Sequence, residues 1–138
     1  MGKGEKGSIM AFWVTAFQNV YNARAGSLLF INAESSKNNR VIDPGRITGV
    51  DNCWVPWCFK KDDFPSRHIE IIDQDTDVVL WYIWQQDNNP AQGRTTMVCA
   101  SHTGFEQPGP AIGGDSTVGT SYNLVIGPGD NDLRTTPL

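Results

Sequence analysis

Seven consecutive apolar or aromatic residues, Val78 through Trp84, stand between Asp77 and the pair Gln85-Gln86, and no other stretch constrains the fold as tightly. Its β-branched and aromatic residues, with turn chemistry on both flanks, predict a strand rather than a short helix. On a pleat, Val78, Leu80, Tyr82 and Trp84 face one way while Val79, Trp81 and Ile83 face the other. Both faces are apolar, so both require a cover, and a two-layer β architecture follows with this strand central. Leu80, Trp81 and Ile83 are expected to be nearly solvent-free.

The rest of the chain agrees with that architecture. At 138 residues it is one domain, large enough to bury a core without disulfides. Its 14 glycines and 8 prolines punctuate short apolar runs, and no segment sustains a 3.6-residue period. The expected fold class is all-β, a two-sheet antiparallel β-sandwich with little or no helix.

The expected organisation is a flexible arm at 1–8, one sandwich domain at 9–130 and a frayed tail at 131–138. Strands are read at 10–18 and 26–32, paired antiparallel across a turn at 19–26. A polar loop at 33–40 and a turn at Ile42-Asp43-Pro44-Gly45 follow, the glycine supplying positive φ. A third strand starts at Arg46 and runs into the stretch from Asn52 to Cys58, where Pro56, which cannot donate to a ladder, ends it or confines it to a sheet edge. Strands at 67–73, 77–86 and 94–101 form a meander with a short connection at Gln74-Asp75-Thr76 and a turn at 87–93. A brief strand at Ala111-Ile112 and a last one at 120–127 complete the set.

A net charge of −4 and the absence of a dense Lys/Arg cluster argue against nucleic acid as a partner. The same acidity disfavours anionic lipid but leaves neutral or zwitterionic headgroups open. No window approaches ~18 apolar residues, so no transmembrane segment is expected, and no signal-peptide pattern opens the chain. Three cysteines, Cys53, Cys58 and Cys99, are an odd number that favours a reducing environment. The expectation is a cytoplasmic protein, or one released without a signal peptide, with a secreted mature form left open. Cys99 is expected to be a buried free thiol, and Cys53 and Cys58 to be reduced unless the chain is secreted.

The motifs that might carry chemistry are incomplete. Asp73, Asp75 and Asp77 open like a calcium loop, but Val78 and Trp84 stand where an EF-hand needs glycine and glutamate, so a solvated turn is expected. Gly114-Asp115-Ser116 echoes a lipase nucleophile block without the parallel α/β framework. His68 and His102 are expected at the surface, and neither can be placed beside Ser66, Ser101 or Cys99 from spacing alone. No catalytic residue, metal ligand or cofactor site is assigned.

The aromatic residues say more. Trp54-Val55-Pro56-Trp57 sets two indoles around a proline that stops a ladder. Beside Asp51, Asn52 and Asp63 they supply the chemistry that stacks on a sugar face or sits at a lipid headgroup boundary. The alternative is that both indoles plug one end of the sandwich. Met10-Ala11-Phe12-Trp13-Val14, then Gln18-Asn19-Val20, then the block from Cys53 to Cys58, resemble pieces of the aegerolysins, small acidic tryptophan-rich β-sandwich proteins that recognise membrane lipids. Small fungal-type lectins share this general appearance. The resemblance implies ligand contact at Trp54 and Trp57 and nothing catalytic. The leading expectation is therefore a non-enzymatic, lectin-like module for a glycan or a lipid headgroup, with Trp54, Trp57, Asn52, Asp51 and Asp63 as its site. A self-assembling β protein, a homo-oligomer or filament built by strand addition at exposed edges, is second, and a hydrolase using His68 or His102 is third.

Overall fold

A computed structural model describes residues 15–87, 96–112 and 121–138. The arm expected at 1–8, the first part of the strand expected at 10–18, the turn at 88–93 and the Gly114-Asp115-Ser116 block lie outside the described residues. Among the described residues, nine strands form two sheets: β1 (Ala16–Asn22), β2 (Leu28–Asn32), β3 (Arg40–Ile42), β4 (Ile47–Trp54), β5 (Ile69–Asp73), β6 (Val78–Asp87), β7 (Thr96–Ser101), β8 (Ser121–Ile126) and β9 (Leu133–Pro137). One sheet has the order β4-β1-β8-β9 and the other β3-β2-β5-β6-β7. The fold is the expected all-β sandwich, its helix limited among the described residues to two 3-10 turns at Ser36–Asn38 and Lys61–Ser66. All pairings are antiparallel except β1 with β8, which is parallel.

Alternation builds the core. Leu28 and Phe30 on β2, and Ile69 and Ile71 on β5, point inward and lose nearly all solvent contact, while Leu29, Ile31 and Glu70 between them do not. Each such aliphatic or aromatic side chain contributes about 1.5–3 kcal/mol by leaving water. The facing sheet supplies Phe17, Val20, Val50, Leu124 and Ile126.

The second half of the long apolar run is covered on both sides, as its composition required, whereas Val78 at its start is exposed. Trp81 and Ile83 face the sandwich interior. Trp84, on the other face, lies under a lid made by Phe64 and Phe105, with Cys58 and Cys99 beside it. Leu80 departs from expectation and stays only partly buried. The β5–β6 ladder slips between Ile71, opposite Trp81, and Ile72, opposite Val79, so Leu80 is the residue left over. The meander is otherwise as expected: β5 pairs with β6, and β6 with β7. The Ala111-Ile112 strip also lies where expected, joined to the edge of β7 by Ile112 N–H to Val98 O at 2.9 Å.

Three expectations are corrected. β1 runs through residues 19–22 instead of turning there, because Val20 and Asn22 both face inward. β1 and β2 are not a hairpin; the short connection between them crosses from one sheet to the other. Buried Asn22 makes that crossing and the next one possible, its Nδ2 donating to Gly26 O and Ile42 O at 2.8 Å each. The expected tail is not frayed, since Leu133–Pro137 forms β9 against β8. Short apolar content hid this strand, yet edge strands need only one covered face.

The sheet edges are blunted. β3 is three residues long. β4 is bulged, β7 carries the 110–112 strip, and β9 ends in a proline that cannot donate to a neighbour. Among the described residues, no helix is long and apolar enough to cross a membrane.

Candidate functional site

The β1–β4 ladder pairs Phe17 with Cys53 and Asn19 with Gly49, so Val50, Asp51 and Asn52 together oppose Gln18 alone. The surplus is absorbed by left-handed backbone at Asp51 (φ 61°) and Asn52 (φ 48°). Aspartate and asparagine are among the few residues that adopt it at modest cost. Val50 and Cys53 remain in the core, whereas Asp51, Asn52 and Trp54 are turned to solvent, with Trp54 57% exposed. Asn52 Oδ1 accepts from Ser121 Oγ at 2.8 Å, which fixes the direction of its amide.

A groove of about 500 Å³ lies between this bulge and the loop that follows β2, lined by Glu34, Lys37, Asp51, Asn52 and Trp54 over a floor of Asn32 and Asn38. The floor is buried and internally bonded. Asn32 Nδ2 donates to Asn38 Oδ1 at 3.0 Å, and Asn38 Nδ2 donates to Val50 O at 2.8 Å. Asn32 Oδ1 accepts from the Glu34 N–H, and the Asn32 N–H donates to Asn39 Oδ1. Beneath the floor, burial pushes the Cys53 thiol up to about 12, opposed by the hydrogen bond from Asn32. Cys53 is therefore a neutral packing group.

Of the five residues expected to form a site, Asp51, Asn52 and Trp54 converge on this groove. Trp57 and Asp63 do not line it. Val55 and Pro56 are buried and carry the chain across to β6, where Gln85 N–H donates to Pro56 O and Gln85 Nε2 to Val55 O. Trp57 then bridges to Gln85 and stacks on Phe59 at 5.6 Å, half-buried. Asp63 lies in the second 3-10 turn, its carbonyl accepting from Ser66 Oγ. Sequence reading missed Asn32, Glu34, Lys37 and Asn38, which fall in or beside the stretch read as a polar loop. The available signal was the density of asparagines there, residues that satisfy backbone groups where a ladder ends.

The histidines are engaged elsewhere. His68 is buried, not at the surface as expected, with Nδ1 2.5 Å from Phe64 O and Nε2 2.8 Å from Glu70 Oε2. His102 is exposed, its ring 3.9 Å from that of Trp81, and its nitrogens meet Leu80 O and Asn131 Oδ1. It borders a second cavity of about 600 Å³ with Trp81, Ile112, Asn131 and Leu133. Ser101 Oγ donates to Gly104 O and accepts from the Thr103 and Gly104 N–H groups, a local cap. Asp73 Oδ1 accepts from the Asp75 and Thr76 N–H groups, so the aspartate triplet serves its turn. All three cysteines are buried.

Comparison of the chain with protein-family models, curated proteins and solved structures returns no match, and the groove is read from its own geometry.

Proposed function

We propose that this chain is a non-enzymatic recognition module that takes a glycan or a lipid headgroup in the groove between the β4 bulge and the loop after β2. One observation carries the reading: Trp54 is 57% exposed at the groove wall, whereas Trp81 and Trp84 are 8% and 0% exposed. An indole held in water beside a carboxylate and an amide gains from a ligand with one apolar face and polar edges. The bulge supports the reading, because two consecutive left-handed non-glycine residues are an uncommon conformation that turns polar side chains towards one surface.

The test compares Trp54→Ala with Trp57→Ala on a glycan array and on vesicles of neutral and zwitterionic lipid, with melting temperature measured on the same preparations. Trp54→Ala is expected to abolish binding with the fold intact. Trp57→Ala is expected to lose stability and to retain binding while folded. Unchanged binding by a folded Trp54→Ala protein would refute the groove as the site.

A further inference from the structure

Resting on that reading, we infer that the groove selects a neutral, hydroxyl-rich sugar ring and discriminates against anionic ligands and zwitterionic phosphate headgroups. The floor amides are committed to one another, to Val50 O and to Cys53 Sγ, so the floor is a fixed shelf rather than a set of donors awaiting an anion. The ligand-facing groups stand on the walls. Among the described residues, the side chains of Glu34, Lys37 and Asp51 have no hydrogen-bond or ion-pair partner.

Two carboxylates therefore face one ammonium. Arg40, a second cation that follows the same loop, is directed into the loop backbone, its Nη1 donating to Lys37 O and Asn39 O at 2.8 Å each. An ionised carboxylate only accepts, and hydroxyl groups supply the donors it needs. A phosphate or carboxylate ligand would instead bring its charge against Glu34 and Asp51, with Lys37 alone to offset it. Recognition of a quaternary ammonium uses a cage of rings, and Trp54 is the only aromatic residue lining the groove among those described. A single exposed indole matches the apolar face of one pyranose. The left-handed pair at Asp51 and Asn52 sets the direction in which these two side chains leave the strand beside that indole.

The experiment is ligand-observed NMR and calorimetric titration at low ionic strength. The probes are the methyl glycosides of glucose, galactose, mannose, N-acetylglucosamine and sialic acid, together with phosphocholine. At least one neutral glycoside is expected to bind about tenfold or more tightly than the sialoside and phosphocholine, and Trp54→Ala is expected to remove that binding. The double variant Glu34→Gln, Asp51→Asn, which keeps residues compatible with the bulge, is expected to narrow the margin against the sialoside several-fold. A sialoside bound as tightly as the neutral sugars would overturn the inference. Preferential binding of phosphocholine, lost in Trp54→Ala, would also overturn it and leave the groove reading standing. Absence of binding by every probe, or sugar binding unaffected in a folded Trp54→Ala protein, would defeat both.

Discussion

Trp54 beside its groove and Trp84 beneath its lid differ less in sequence setting than in what the neighbouring loops bring to them. Trp84 projects from the outer face of β6, where water would reach it if nothing lay above. The segment around the second 3-10 turn lays Phe64 edge-on at 5.3 Å, and the segment after β7 adds Phe105 at 5.5 Å. Phe64 is held in turn by stacking on His68 at 4.5 Å. The loop after β2 offers asparagines instead. Its Asn38 amide bonds to Asn32 at the end of β2 and to the Val50 backbone, so the loop builds a wall and part of a floor and leaves Trp54 in solvent. A loop that contributes rings closes over a sheet, and a loop that contributes amides borders a groove.

Truncating the covered indole should produce the largest effect. Trp84→Ala is expected to destabilise by about 3–5 kcal/mol in chemical denaturation. Trp84→Phe should cost clearly less, because a ring still fills most of the space and the indole N–H it deletes has no hydrogen-bond partner among the described residues. Equal losses in Trp84→Ala and Trp54→Ala would break the comparison.

Next in size is the lid itself. A Cβ at Gly109 would lie 2.8 Å from Cys99 Cβ and Sγ and from Trp84 Cζ2, so Gly109→Ala should overpack the pocket by about 1–3 kcal/mol. Near-ultraviolet dichroism should report the disturbed indole, and an unchanged spectrum with unchanged stability would show that the lid yields freely.

The groove side has its own signature in alkali. The Cys53 thiol is raised from an ordinary value of 9.0 to about 12 in the folded chain. Between those values the unfolded chain has released the proton and the folded chain has not. Stability is therefore complete below pH 9.0 and falls on raising pH towards about 12, by about 1.4 kcal/mol per unit for this group. Cys53→Val should flatten that slope relative to the parent in urea titrations at several alkaline pH values. The smallest stability effect belongs to Trp54→Ala, expected within about 0.5 kcal/mol of the parent by the same assay.

The two regions were not equally legible in the sequence. The unbroken apolar run over residues 78–84 announces a strand with two covered faces, since each side of the pleat presents groups that water disfavours. Which loops supply the second cover is a matter of long-range packing, and nothing local to Phe64 or Phe105 reveals it. Trp54 and Trp57 look alike in the sequence. They part because Pro56 ends β4 and Gln85 captures the crossing backbone, and that capture depends on a residue far along the chain. Asp51-Asn52 hints at left-handed backbone, but a bulge exists only relative to a partner strand. The crossing after β1 was misread because turn residues mark a reversal of direction without saying in which sheet the chain resumes. β9 passed unnoticed because Leu133-Arg134-Thr135-Thr136 carries one strongly apolar residue and is held by β8 rather than by its own pattern.

The parallel pairing of β1 with β8 bears on how fast this chain acquires its structure. Asn19 and Asn123, joined side chain to side chain across that pair, are 104 residues apart in sequence. Closing so long a loop costs chain entropy before any contact repays it, and folding rates fall as sequence-distant contacts come to dominate. The β5-β6-β7 meander needs no such closure and is free to assemble early. The sheet that carries Trp54 is complete only when β8 joins β1, and Asn52 at the groove wall gains its bond from Ser121 at that step, so the groove is expected to be among the last parts of the molecule to settle. In stopped-flow refolding, accessibility at Trp54 should settle in the slowest phase, after Trp84 has lost contact with solvent.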